Sequence, residues 1–147
     1  MAEPKEDDIQ TMAMRAGDPA LVEAKKEAIR TIDVFLDLHE KYKDNIGVYF
    51  AIKHGVPHDG DQAFLWYTFE EEKEGKLFAY HYNTPNGLED FEKIEVKKEE
   101  ISDWMINDHG HLTGGWSVRV QRLKLTEEER GAFDEHAGIT NYRENNF

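Results

Sequence analysis

Cysteine is absent from the 147-residue chain, which excludes thiol catalysis, thiolate metal sites and disulfide staples. The sequence also has no apolar run near the roughly 20 residues that a bilayer-spanning helix needs. The acidic opening, with Glu3, Glu6, Asp7 and Asp8, lacks the charge and hydrophobicity of a signal peptide, so a cytoplasmic protein without membrane contact is expected. Positive charge is scarce: 18 Lys and Arg face 31 Asp and Glu, a net charge of -13. Nucleic-acid binding depends on basic surfaces displacing counterions from phosphates, so nucleic acid is not an expected partner. No glycine-rich phosphate loop, Gly-x-Ser-x-Gly turn or His-Glu-x-x-His motif occurs, and no cofactor is implied.

What is present suffices for one core. With 39% hydrophobic and 12% aromatic residues, a chain of this length can bury enough surface to fold without metal or disulfide. Residues 1–17 hold only Ile9, Met12 and Met14 as apolar anchors beside a charged run, and are expected to be a flexible lead-in to a single domain over residues 18–147. Asp18-Pro19 is a helix start: the aspartate caps free N–H groups, and the missing donor of proline costs nothing in the first turn. From there Leu21, Ala24, Ala28, Ile32, Phe35, His39 and Tyr42 recur every three or four residues. This spacing predicts one long amphipathic helix packed on a sheet.

Five strands are expected, over residues 46–53, 63–71, 76–82, 92–98 and 116–125, each rich in β-branched or aromatic residues. Both faces of Phe64 to Phe69 are largely apolar, which places that strand centrally. Residues 70–75 predict a tight solvated hairpin, and Asn83 to Gly87 a second turn. The alternation of Lys93, Ile94, Glu95, Val96 and Lys97 suits a sheet edge. Thr126-Glu127-Glu128-Glu129 forms a capping box for a last short helix that ends at Gly138. Strands in succession between flanking helices predict an α+β fold with a mostly antiparallel sheet.

The densest unusual segment spans residues 101–116 and contains Trp104, Trp116, His109, His111 and three glycines. His109 and His111, with Asp103 or Asp108, are weak metal candidates because His-x-His can place two imidazoles on one side of a strand. Turn chemistry in Asn107-Asp108-His109-Gly110 competes with that role, and Gly114-Gly115 suits unusual dihedrals before a strand. His54 and His58, separated by Gly55 and Pro57, are expected in a loop. Trp66, Tyr80, Tyr82 and Trp104 are expected in the core more than in a ligand wall.

The block Ile101-Ser102-Asp103-Trp104-Met105, then Gly110 and Gly114-Gly115-Trp116-Ser117-Val118-Arg119, resembles the bacterial domain of unknown function family numbered 2314. That pattern is Ile-x-Asp-Trp-Met, a glycine pair, an aromatic, Ser or Thr, and Arg. Upstream, Asp18-Pro19, the helix through Thr31 and Phe35-Leu36, Lys53, Trp66, and a turn with Asn83 and Pro85 agree in order. The resemblance covers roughly residues 18–130 and implies a compact bacterial α+β domain without naming an activity. The chain departs from it at Ala63-Phe64-Leu65-Trp66, where the family shows Glu-His-Met-Trp.

The leading expectation is a non-enzymatic protein-binding module, immunity-like or regulatory, whose acidic surface engages a basic protein partner. Asp103, Trp104, Trp116 and Arg119 are its candidate binding residues, and no catalytic residue is nominated. The alternative is a small enzyme or ligand-binding protein with a pocket near Asp103, Trp104 and Arg119, where the guanidinium would clamp a carboxylate or phosphate. Oligomeric state has no signature in the sequence, because apolar interface and apolar core look alike.

Overall fold

The computed structural model describes residues 18–58, 61–82 and 91–147. The lead-in and the Asn83 to Gly87 turn lie outside them. The helix start is as expected: Pro19 stands in the first turn, and the Ala20 N–H donates to Asp18 Oδ1 at 2.9 Å. The single long helix is corrected to two, α1 (Pro19–Arg30) and α2 (Ile32–Tyr42), with a break at Thr31. Thr31 leaves helical geometry at φ -108° and ψ 10°, and its hydroxyl donates to Glu27 O at 2.6 Å. A side-chain hydroxyl that competes for helical carbonyls in this way loosens the turn. The Trp104 indole N–H donates to the same Thr31 oxygen at 3.1 Å, which ties the break to the sheet.

Among the described residues seven strands, not five, form one sheet in the order β4-β3-β2-β1-β5-β6-β7. They are β1 (Val48–His58), β2 (Asp61–Lys73), β3 (Lys76–Tyr82), β4 (Phe91–Lys97), β5 (Asp103–Asp108), β6 (His111–Gly114) and β7 (Asn141–Tyr142). All pairings are antiparallel except β6 with β7. β2 lies inside the sheet and β4 at its edge, as the patterning predicts. The β2–β3 hairpin turns at Glu74 and Gly75, both at positive φ, the geometry that a two-residue hairpin demands. His54 and His58 fall within β1, not in a loop.

Two further corrections concern residues 101–125. The stretch expected as turn and loop contributes β5 and β6, joined at Asp108 to Gly110, where His109 and Gly110 have φ of 51° and 96°. The expected strand over residues 116–125 is instead helix α3 (Trp116–Leu123). Gly114 and Gly115, at φ 72° and 65°, swing the chain out of the sheet. A Cβ on Gly114 would come within 2.6 Å of the Trp104 ring, so glycine also permits this close approach. The last helix, α4 (Glu127–Ala137), carries the predicted capping box and ends at Gly138 in the left-handed region. Among the described residues no helix is long and apolar enough to cross a membrane.

Side chains alternate across the sheet and so build two clusters. On one face Ala28, Ile32 and Phe35 of the first two helices meet Phe50, Ile52, Tyr67, Phe69, Leu77, Trp104 and Ile106. Phe35 packs edge-on against Phe69 at 5.0 Å and lies 5.3 Å from Trp104, centroid to centroid. On the other face Leu112, Val118 and Ile139 gather Trp66, Met105, Phe133 and Tyr142. α3 serves both clusters, Trp116 packing on the first and Val118 in the second.

Candidate functional site

Strand register creates a row of polar and aromatic residues on the second face. Lys53 of β1 stands opposite Asp103 of β5 on one side and Trp66 of β2 on the other. Asp103 and Lys53 are both fully buried. Asp103 Oδ2 accepts the Ser117 hydroxyl at 2.5 Å and the Ser117 N–H at 2.8 Å, while Oδ1 accepts the N–H groups of Trp104 and Trp116. A carboxylate from a neighbouring strand therefore caps the first turn of α3, whose free donors and positive dipole end favour an anion.

Lys53 Nζ lies 3.4 Å from Ser117 Oγ and 5.2 Å from the centre of the Trp66 ring. Burial lowers its pKa to about 8, partly offset by the charge of Asp103. Burial raises Asp103 to about 6 against the opposing pull of Ser117 and Lys53. Ser, Lys and Asp in contact have the makings of an activated nucleophile, but Ser117 is only 2% exposed and its hydroxyl is bonded to the cap. The geometry locks three elements together.

The other residues singled out in the sequence lie around this cap. Trp104 is fully buried on the helix-covered face, and its ring stands edge-on to Trp116 at 5.1 Å. Arg119 donates through Nε to Gly114 O at 2.9 Å and through Nη2 to Leu112 O at 3.2 Å, with Tyr142 beneath it at 5.6 Å. The guanidinium thus braces β6. His109 Nδ1 lies 2.7 Å from Asp108 Oδ1 in the turn, and His111 is exposed at the start of β6. Among the described residues no group of three His, Cys, Asp or Glu is placed to hold a metal ion. Trp66 and Trp104 occupy opposite faces and form no common wall.

Beside the cap, on the Trp66 face, runs an open groove of about 290 Å³. Trp66 and Met105 of the sheet, Val118 and Gln121 of α3, Phe133 of α4 and Ile139 line it. Phe64 and Leu65 also border it, so the segment that departs from the resembled pattern faces this space. The α4 wall is held by Arg122, whose guanidinium forks onto Asp134 at 2.9 Å through Nε and 2.9 Å through Nη2. The Tyr142 hydroxyl donates to the same carboxylate at 2.5 Å, and Arg122 stacks over the Tyr142 ring at 4.7 Å. Burial and the Asp134 charge keep that phenol protonated.

Gln121 lies 2% exposed in this groove, and neither its Oε1 nor its Nε2 has a hydrogen-bond partner among the described residues. Lys53 and Ser117 belong to the resembled pattern but were not nominated as site residues, and Gln121 lies outside that pattern. Treating residues 116–125 as a strand hid Ser117 and Gln121, whose four-residue spacing puts them on one helical face. A lysine directly after the apolar run Phe50-Ala51-Ile52 was the available signal for Lys53.

A family model described as "uncharacterized protein conserved in bacteria (DUF2314)" matches residues 18–141. The chain is also similar to the uncharacterized protein YegJ of Escherichia coli (strain K12), 26% identical over 113 residues, which span 75% of this chain and 72% of that protein. No solved structure matches the chain.

Proposed function

The chain belongs to the bacterial DUF2314 family, and we propose that it is a non-enzymatic binding module, immunity-like or regulatory, that engages a basic protein partner. The supporting observation is a mostly apolar groove that α4 lines with Phe133, His136 and Ala137, while the rest of that helix is acidic. α4 carries Glu127, Glu128, Glu129, Asp134 and Glu135 against a single arginine, in a chain of net charge -13. Apolar lining supplies contact area, and the surrounding charge selects and steers a cationic surface. Asp103, Ser117 and Arg119 are occupied internally, whereas the groove beside them is open.

The test is a pull-down from the native cell at low and moderate salt, with the wild-type chain and a variant in which exposed Glu127, Glu128 and Glu135 are changed to Gln. A stoichiometric basic protein, lost as salt rises and weakly held by the variant, is expected. Recovery that ignores both salt and the substitutions overturns charge-guided binding.

A further inference from the structure

Gln121 gives the groove a chemical preference. Its carboxamide presents one acceptor and two donors, yet both polar atoms are buried without partners among the described residues. The adjoining walls are mostly apolar, with Trp66, Met105, Val118 and Phe133, and His81 and His136 complete the lining. Buried polar groups are nearly always satisfied, so an amide left unmet beside an open space marks where a ligand group belongs.

We propose, resting on the binding function above, that the groove receives an extended segment of the basic partner, and that one residue of the segment pairs its backbone N–H and C=O with Gln121. The complement of a carboxamide is a group that offers an acceptor and a donor side by side. A carboxylate offers only acceptors, and its negative charge is repelled by a chain of net charge -13. Nucleobase edges have the right pattern but arrive on a polyanion, which a chain of net charge -13 repels. The backbone N–H and C=O of a single residue in extended chain lie on one edge, side by side, and fit both demands. The segment must be unpaired, because in a helix or inside a sheet the same N–H and C=O are already bonded. An apolar side chain next to that residue fills the space between Trp66 and Phe133, and flanking Lys or Arg residues lie toward Glu127, Glu128 and Glu135.

A displayed library of random heptapeptides, selected on the full chain, tests this directly. Enriched sequences are expected to carry an apolar residue flanked by Lys or Arg. The best one, synthesised, should lose about tenfold or more in affinity when its central amide is N-methylated, and by a similar factor against Gln121→Leu. Gln121→Leu should meanwhile raise the melting temperature by about 2–4 °C, because it removes unmet polar atoms from a buried position. Gln121→Met serves the same purpose if the branched side chain disturbs folding. Basic peptides that bind both variants as tightly as wild type overturn the role of Gln121 while leaving a basic partner in place. Acidic or neutral enriched sequences overturn the basic partner as well. An empty selection, or a dimer in sedimentation that Gln121→Leu dissolves, overturns the peptide in favour of no ligand or of a second copy.

Discussion

Ser117 gives Asp103 both its hydroxyl and its backbone N–H, at 2.5 Å and 2.8 Å, across 14 residues of sequence. That contact joins the middle of the sheet to the start of α3 and so sets the position of Gln121 one helical turn further on. The groove exists because this cap holds α3 against the second face.

Removing the carboxylate should therefore damage the whole site. Asp103→Ala leaves three backbone N–H groups and the Lys53 charge buried without it, and a loss of about 3–5 kcal/mol is expected in urea unfolding. Asp103→Asn keeps an acceptor oxygen and should lose less. Equal losses would show that the charge contributes nothing beyond the hydrogen bonds.

Lys53 predicts a dependence on alkaline pH. Its folded pKa is depressed to about 8, against roughly 10.4 in an unfolded chain. Between those values the unfolded chain binds more protons, so stability rises with pH; this contribution is complete above the unfolded pKa and is lost as pH falls through 8. The stability of wild type minus that of Lys53→Met should therefore increase from pH 8 to pH 10, as read from urea midpoints. A flat difference would mean that Lys53 titrates normally in the fold.

Thr31 joins the helix break to the sheet by accepting the Trp104 indole N–H at 3.1 Å. Thr31→Val preserves shape but strands a buried donor, and should cost about 1–3 kcal/mol in thermal or chemical unfolding. The same variant should leave binding at the groove intact, since Trp104 lies on the opposite face.

Arg119 separates bracing from ligand capture. Because its guanidinium donates to Gly114 O and Leu112 O, Arg119→Ala should destabilise the fold by about 1–3 kcal/mol. An unchanged melting temperature with lost binding would make it a ligand clamp instead.

Elements with local causes were legible in the sequence. Asp18-Pro19 opens α1, the Thr126–Glu129 capping box opens α4, Glu74-Gly75 turns the β2–β3 hairpin, and alternation around Val96 marks the edge strand. In each case the deciding hydrogen bond or dihedral lies within a few residues. Of the candidate site residues, Asp103 and Trp104 stood out as part of an unusual segment, but their roles did not. Val118 and Val120 favoured a strand by propensity, and a cap from Asp103 overrode them.

The sequence by itself determined an acidic α+β chain with a mostly antiparallel sheet, helices at both ends, and no cysteine chemistry. Only the tertiary structure decided that residues 101–114 form a strand pair, that α3 follows them, and that Lys53, Asp103 and Ser117 share one buried cluster beside Gln121. The reason is physical: caps and turns are made by neighbours in the chain, whereas this site depends on donors and acceptors brought together from β1, β5 and α3, and the chain must be folded before they meet.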